Sequence, residues 1–385
     1  MSGRDAMVDV AWNPGRDPGW TPQRGLEDRA RELHHALEGY APTPLRGAPT
    51  LAAELGLGAV LLKDESSRFG LPAFKALGAW WATAWAVADR LGEPALATEP
   101  EALRDHARGA PLTLVCATEG NHGRAVARAA RWLGLEAWVV VPDATTPGRV
   151  QAIEDEGARV EHVDADYDAA VRRAAGLADG RHLVIADTSW PGYEDVPRRV
   201  VEGYATIFAE LDAQLQGRTV DLVVVPIGVG SLAAAAARHF RATPGERPRL
   251  VGLEPIDAAC LLASARAGHP VTIGGELRSA MAGLNCPTPS IDAWPQLAAA
   301  FDAFCAVGAD HVLEGMRRLA AGGLDRGGCA GGVVGGLTAL LSDPAHREAL
   351  ALPERATALL VLTEGVTDRD LFTAAVGRVP APTLT

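Results

Sequence analysis

The sequence predicts an α/β protein of about two lobes, resting on mostly parallel sheet. Short apolar runs alternate with amphipathic helical stretches along most of the chain, which is the pattern of strand-helix units. Most of these runs are continuously apolar, as strands covered on both faces of a parallel sheet must be. The 385 residues also exceed what one compact core usually holds.

In order, AVLLKDE (59–65) reads as a strand, followed by a turn at Gly70 and Pro72 and a helix through AFKALGAWWATAWAVADRLG (73–92). LTLVCAT (112–118), EAWVVVP (136–142), ARVEHV (158–163) and HLVIAD (182–187) are strands. HGRAVARAARWLG (122–134) and TPGRVQAIEDEGA (146–158) are the helices between the first three. VDLVVVPIG (220–228) and RLVGLEP (249–255) flank the Ala-rich helix SLAAAAARHFRA (231–242), and TALLVLTEG (357–365) is the last strand. The strand-helix series over 81–186 is self-contained, so it is expected to form a small domain. Residues 1–80 and 187–385 would then make the large one.

Composition narrows the function. Apolar residues are 48% and charged residues 22% of the chain, as in ordinary globular proteins, so disordered and fibrous classes are excluded. Lys plus Arg number 36 against 48 Asp plus Glu, a net charge of −12 with no basic cluster; a nucleic-acid partner is not expected. No apolar stretch reaches about 18 residues, so no membrane span is expected. The start of the chain has no signal-peptide pattern, and a cytoplasmic location is the expectation. Cys116, Cys260, Cys286, Cys305 and Cys329 form no C-x-x-C pair, which leaves zinc, or any metal, unsupported. Cys260 and Cys286 could still meet in space. The 42 glycines fall in short clusters, as where backbone must approach something closely.

Five segments carry possible chemistry. Lys75 lies in the apolar stretch FKALGA; a desolvated lysine has a lowered pKa and a nucleophilic amine, although a snorkelling helix lysine looks the same. Glu119, Asn121 and His122 stand with Gly120 and Gly123 in a turn between strand and helix. That geometry points amides at an anion or is only a capped turn. Gly228, Val229, Gly230 and Ser231 open the Ala-rich helix, as a phosphate-binding loop does. They also fit a loose G-x-G-x-x-A dinucleotide pattern, with Glu254 as its ribose-binding acid. Thr363 and Asp187 each end a strand, where open α/β sheets place ligands or ordinary turns. The cluster GGCAGGVVGG (327–336) reads as a flexible turn or a cofactor contact.

GYAPTPL (39–45), KDESSRFGLPAFKALG (63–78), ATEGNHG (117–123), DTSWPGYE (187–194), GVGS (228–231), AGLNCPTPS (282–290) and LTEGVTD (362–368) together, and in this order, resemble the diaminopropionate ammonia-lyase family. These are fold type II, tryptophan-synthase-β-like, pyridoxal-phosphate enzymes. The resemblance covers nearly the whole chain from about residue 30. It implies two open twisted, mostly parallel sheets with helices on both faces, a small lobe inserted in a large one, and pyridoxal 5'-phosphate as cofactor. It also implies a homodimer acting on a small amino acid, with 2,3-diaminopropionate eliminated to pyruvate and ammonia through an aminoacrylate.

Residue by residue, the resemblance makes Lys75 the Schiff-base lysine and sets Asn121 beside the cofactor's phenolic oxygen. Gly228, Val229, Gly230 and Ser231 become the phosphate cradle, and Thr363 the partner of the ring nitrogen. Asp187 and Glu119 match the two acids that take the α-proton from L- and D-substrate, and Thr118, Gly120 and His122 line the substrate turn. Acids there would hold a β-ammonium leaving group. The pattern is departed from at Glu119, where the family has Asp, at Cys329-Ala330-Gly331, where it has Glu-Ser-Gly, and at Val366, where it has Asp. A dehydratase or β-replacing enzyme of the same fold is therefore the alternative, followed by a nucleotide-binding dehydrogenase built on Gly228, Gly230 and Glu254.

Overall fold

A computed structural model describes residues 3–118, 120–242 and 248–381. The described strands are β1 (Val8–Trp12), β2 (Leu45–Gly47), β3 (Ala59–Asp64), β4 (Thr113–Ala117), β5 (Glu136–Pro142), β6 (Arg159–Val163), β7 (His182–Val184), β8 (Leu222–Pro226), β9 (Arg249–Pro255), β10 (Ala303–Val307) and β11 (Thr357–Leu362). They form a seven-stranded sheet ordered β1-β10-β9-β8-β11-β3-β2 and a four-stranded sheet ordered β6-β5-β4-β7. All pairings are parallel except those of the two edge strands β1 and β2. The continuously apolar strands β4, β8, β10 and β11 are buried along their whole length, as central parallel strands must be.

The chain divides into two compact units, one of Met1–Gln23, Pro42–Ser67 and Ile207–Thr385 and the other of Arg24–Ala41 and Arg68–Thr206. The first holds the larger sheet and the second the smaller. The stretch 81–186 lies wholly within the second unit.

The glycine cluster 327–336 is neither a flexible turn nor loop. It opens a buried helix, Gly328–Ser342. Each glycine in a helix interior disfavours it by about 1 kcal/mol against alanine, so close packing must compensate. A Cβ on Gly335 would fall 1.9 Å from the His311 carbonyl oxygen, and one on Gly315 would fall 1.9 Å from that of Gly331. Both His311 and Gly315 belong to the neighbouring helix Ala309–Ala321. On the sheet side, a Cβ on Gly336 would sit 2.1 Å from Leu253 of β9. The glycines thus let one helix lie against both another helix and the sheet, and the cluster's Cys329 is sealed in its first turn. Val366, partly buried, packs against a small apolar cluster that includes Met316 and Phe372.

In the second unit, the helix Lys75–Arg90 is packed as closely. A Cβ on Gly78 would meet the Tyr204 ring at 2.6 Å, and one on Gly203 would meet the Leu77 carbonyl oxygen at 2.6 Å. Trp81 Nε1 donates to buried Glu202 at 3.0 Å, and Arg199 closes on the same carboxylate at 2.6 Å. The His34 ring spans Thr206 Oγ1 (2.8 Å) and the Leu77 carbonyl (2.9 Å). These contacts fix the axis of the helix whose first residue is Lys75.

Candidate active site

Within the second unit, adjacent parallel strands β4 and β7 deliver the turn Thr118–Gly123 and Asp187 to the same carboxyl edge of the smaller sheet. That edge is where open α/β sheets bind ligands. Lys75, at the start of its helix, reaches this edge: its Nζ donates to Asp187 Oδ2 at 2.5 Å. Tyr167 Oη donates to Asp187 Oδ1 at 3.2 Å. His122 Nε2 meets the Ile185 carbonyl at 2.7 Å, and its Nδ1 lies 4.0 Å from Asp187 Oδ2.

Burial opposes the charge on Asp187, but the Lys75 charge and the hydrogen bonds from Lys75 and Tyr167 outweigh it and hold the carboxyl well below the usual range. Burial also keeps His122 below its ordinary value, so its imidazole is neutral. The Tyr204 phenol is pushed up by burial against the Lys75 charge. Asp187 is thus an ionised base facing an ammonium in a dry setting.

Thr118 Oγ1 accepts from the Gly120 and Gly123 amides at 2.9 and 3.1 Å, so it shapes the turn. Gly120 has φ +146°, and a Cβ on Gly123 would meet Thr118 at 2.5 Å; both positions require glycine. Asn121 begins the helix Asn121–Leu133. Glu119 lies outside the described residues.

Within the first unit, β8 and β11 are also parallel neighbours. Gly228–Ser231 and Thr363 therefore leave the same carboxyl edge of the larger sheet. Gly230 takes φ +110°, and a Cβ on Gly228 would come within 3.2 Å of Cys286 Sγ. The loop, with glycine at two of its four positions, leads into the twelve-residue helix Ser231–Ala242, whose N-terminal amides favour an anion. Thr363 is buried, a neutral hydroxyl at the strand end.

Glu254 does not serve as a ribose-binding acid. Its two oxygens accept the Leu261 and Leu262 amides at 2.8 Å each, capping the helix Cys260–Ala267. Burial pushes its carboxyl up to about 8 from 4.5. A carboxyl raised in the folded state gives its full stabilisation below its ordinary value and loses it as pH rises through about 8. Urea titrations of Glu254→Gln should therefore show a flatter stability profile between those pH values than wild type. The dehydrogenase alternative loses its second motif element. Cys260 and Cys286 are both buried thiols and form no disulfide.

Tyr167 and Tyr204 were not found by sequence reading. Tyr167 is a lone aromatic in the polar stretch DADYDAA, twenty positions before Asp187, and only chain folding brings the two together.

The sequence pattern of the pyridoxal-phosphate dependent enzymes matches residues 36–364. Diaminopropionate ammonia-lyase of Salmonella typhimurium is 36% identical over 367 residues, covering 88% of this chain and 89% of that protein. The Escherichia coli K12 enzyme of the same name is 34% identical, covering 88% of each. A crystal structure of the holo Escherichia coli diaminopropionate ammonia-lyase superposes with a TM-score of 0.89 at 31% identity, covering 97% of each chain.

Residue types that could serve pyridoxal phosphate occur in each unit: a lysine amine able to take an aldehyde in the second, and a glycine-containing loop at a helix N-terminus and a buried neutral hydroxyl, able to take a phosphate and to face a ring nitrogen, in the first. The chain belongs to the pyridoxal-phosphate dependent enzymes, and within them to the diaminopropionate ammonia-lyase family.

Proposed function

We propose that this protein eliminates the β-amine of 2,3-diaminopropionate, giving pyruvate and ammonia. The observation that carries this reading is the Lys75–Asp187 pair at 2.5 Å, its carboxylate buried and its amine partly so. It supports a role in which the lysine amine would take the cofactor's aldehyde and the ionised carboxylate beside it would take a proton from carbon. When bound, the cofactor supplies an electron-withdrawing ring that stabilises negative charge at the substrate's α-carbon.

Lys75 would hold the aldehyde, Asn121 the phenolic oxygen and Gly228, Val229, Gly230 and Ser231 the phosphate. Thr363 would face the ring nitrogen with a neutral hydrogen bond, which keeps the ring less electron-withdrawing than an Asp would and suits elimination. Asp187 accepts the α-proton of the L-isomer. Glu119, which carries the corresponding role for the D-isomer, also adds negative charge for a β-ammonium group. Thr118 and Gly120 hold the turn on which substrate rests. Burial of Asp187 excludes the water that would otherwise weaken its attraction for a proton.

The purified protein, supplied with cofactor, is offered L- and D-diaminopropionate, serine and threonine, and pyruvate or the corresponding oxo acid is measured. Pyruvate from a diaminopropionate isomer is the expected result. Absence of product from both isomers refutes the reading, and turnover of the hydroxy amino acids alone replaces it with a dehydratase. Asp187→Asn should lower kcat for the L-isomer by about 10²–10⁴-fold, the range of a lost general base, while cofactor still binds. Wild-type protein should also lose the stabilisation from Asp187 as pH falls below its ordinary 3.8, since its folded-state value is depressed.

Supplied by the family resemblance, a homodimer in a cytoplasmic setting completes the proposal, with sedimentation as its check. Among the described residues no helix is long and apolar enough to cross a membrane.

A further inference from the structure

The segment WPGY (190–193) has the composition of a type II turn, with Pro at its second position and Gly at its third. The chain forms that turn: Gly192 takes φ +86°, and the Tyr193 amide donates to the Trp190 carbonyl at 2.9 Å. The two aromatic rings are thereby stacked, with centroids 4.2 Å apart and planes 11° apart. Both rings pack against the apolar cluster that includes Val184 and Ala186. The Tyr193 hydroxyl reaches the strand end that leads to Asp187. It donates to the Val184 carbonyl at 2.6 Å and accepts from the Ala186 amide at 3.2 Å. Burial pushes the phenol up from its ordinary value, so it keeps the proton that it donates.

These two backbone groups face the outer edge of the smaller sheet, whose order β6-β5-β4-β7 puts β7 last. Along a strand, the N–H and C=O of one residue point to one side and those of the next residue to the other. Ile185 faces inward: its amide donates to the Val115 carbonyl of β4 at 2.7 Å. The Ile185 carbonyl accepts from His122 Nε2 at 2.7 Å, since a carbonyl can only accept. Val184 and Ala186 face outward, where buried backbone groups must still be satisfied. Tyr193 supplies both partners with one hydroxyl, in the place of a further strand. The residue after Ala186 is Asp187.

We propose that Tyr193 is a positioning residue for Asp187 in removal of the α-proton from the L-isomer. Its hydroxyl closes the outer side of a strand end that β4 and His122 close on the inner side. This rests on the reading that Asp187 takes that proton and Glu119 the proton of the D-isomer. Proton transfer from carbon needs the base at near-attack distance, and a misplacement of about 1 Å costs on the order of 10²-fold in rate. A clamp on the residue adjacent to the base therefore acts on kcat. The turn Thr118–Gly123 is held separately. Its Thr118 amide donates to the Val140 carbonyl at 3.0 Å, and the Thr118 hydroxyl accepts from the Gly120 and Gly123 amides. Loss of the Tyr193 hydroxyl should thus reach the L-isomer and spare the D-isomer, which makes Tyr193 a determinant of stereochemical preference.

Tyr193→Phe tests this, because it keeps the ring, its stack on Trp190 and its apolar packing, and removes only the hydroxyl. Cofactor-loaded wild type and variant are compared on L- and D-diaminopropionate. The expected result is a fall in kcat for the L-isomer of about tenfold, with its KM and the kcat for the D-isomer unchanged. An unchanged L-to-D ratio, or a raised KM at unchanged kcat, overturns the proposal, since a merely structural role lowers both isomers alike.

α-Deuterium exchange of L- and D-alanine in D2O is followed on the same samples. There the C–H bond breaks with its proton passing to the base, and a C–D bond forms from the exchanged base. No β-group leaves, so this ratio reports proton removal by itself and should shift in the same direction. A wild type that exchanges L-alanine but turns over neither diaminopropionate isomer refutes the proposed function, and the exchange ratio then decides for or against Tyr193. A wild type that neither turns over the L-isomer nor exchanges L-alanine overturns both. In the cofactor-free protein, NMR of the Ala186 amide should show faster hydrogen exchange in Tyr193→Phe than in wild type. Equal rates would mean that the hydroxyl does not hold the strand end, and overturn the proposal whatever the kinetics.

Discussion

Lys75→Ala should abolish turnover of diaminopropionate and remove the visible absorption band of the bound cofactor, measured on one sample before and after adding substrate. The expected loss in kcat is on the order of 10⁴-fold or more, as for residues whose removal disables a whole catalytic unit. Two consequences separate this from a general loss of structure. Lys75 is the ammonium partner of a buried carboxylate at 2.5 Å, and breaking a buried pair by removing one partner costs about 3–5 kcal/mol. That cost should depend on pH. Without its cation, Asp187 is raised by burial instead of lowered by Lys75. Its folded form then binds a proton more tightly, so stability returns at acid pH and is lost as pH rises. A chemical-denaturation series should therefore show the Lys75→Ala penalty shrinking toward about pH 5. A penalty independent of pH would mean that the pair is not the one described, and an intact absorption band would remove Lys75 from the cofactor altogether.

Gly335→Ala should be among the most damaging single-atom additions in the chain. Helix propensity alone favours the change by about 1 kcal/mol. Against it, the new Cβ would occupy a point 1.9 Å from the His311 carbonyl oxygen, a main-chain atom that cannot rotate away. Overpacking of a well-filled core costs about 1–3 kcal/mol and more where backbone must shift, so the clash wins by a net 2 kcal/mol or so. Thermal denaturation should show a drop of several degrees. Gly274→Ala, where the added atom would meet nothing within 4 Å, should shift stability by no more than about 0.5 kcal/mol. Equal stability of Gly335→Ala and wild type would refute the close contact between the helices Gly328–Ser342 and Ala309–Ala321.

Much of the larger architecture can be read directly in the residues. The apolar runs of β3, β4, β5, β6, β8, β9 and β11 coincide with the strands expected, because a strand buried on both faces has few other compositions available. β7 stops at Val184, three residues before Asp187, which leaves the acid on a turn, free to face Lys75. β1, β2 and β10 have no counterpart in the sequence reading. VDVAW and LRG are too short to show a period, while AFCAV is as apolar as its neighbours and could have been found. The glycine cluster was misread for a physical reason. Local propensity says that five glycines do not make a helix, and only contacts distant in sequence override it.

Sequence alone was enough for the parallel-sheet class and the family, and it singled out Lys75, the Gly228–Ser231 loop and Thr363 as candidates. Each of these is written in short, contiguous stretches whose local chemistry limits the alternatives. Tertiary structure alone decided which groups act on one another. It set Asp187 against Lys75, Tyr167 and His122, turned Thr118 inward to hold its own loop, and assigned Glu254 to a helix end. Charge state at a buried site depends on the atoms within a few ångströms and on the exclusion of water, and neither is a property of any segment of chain taken by itself.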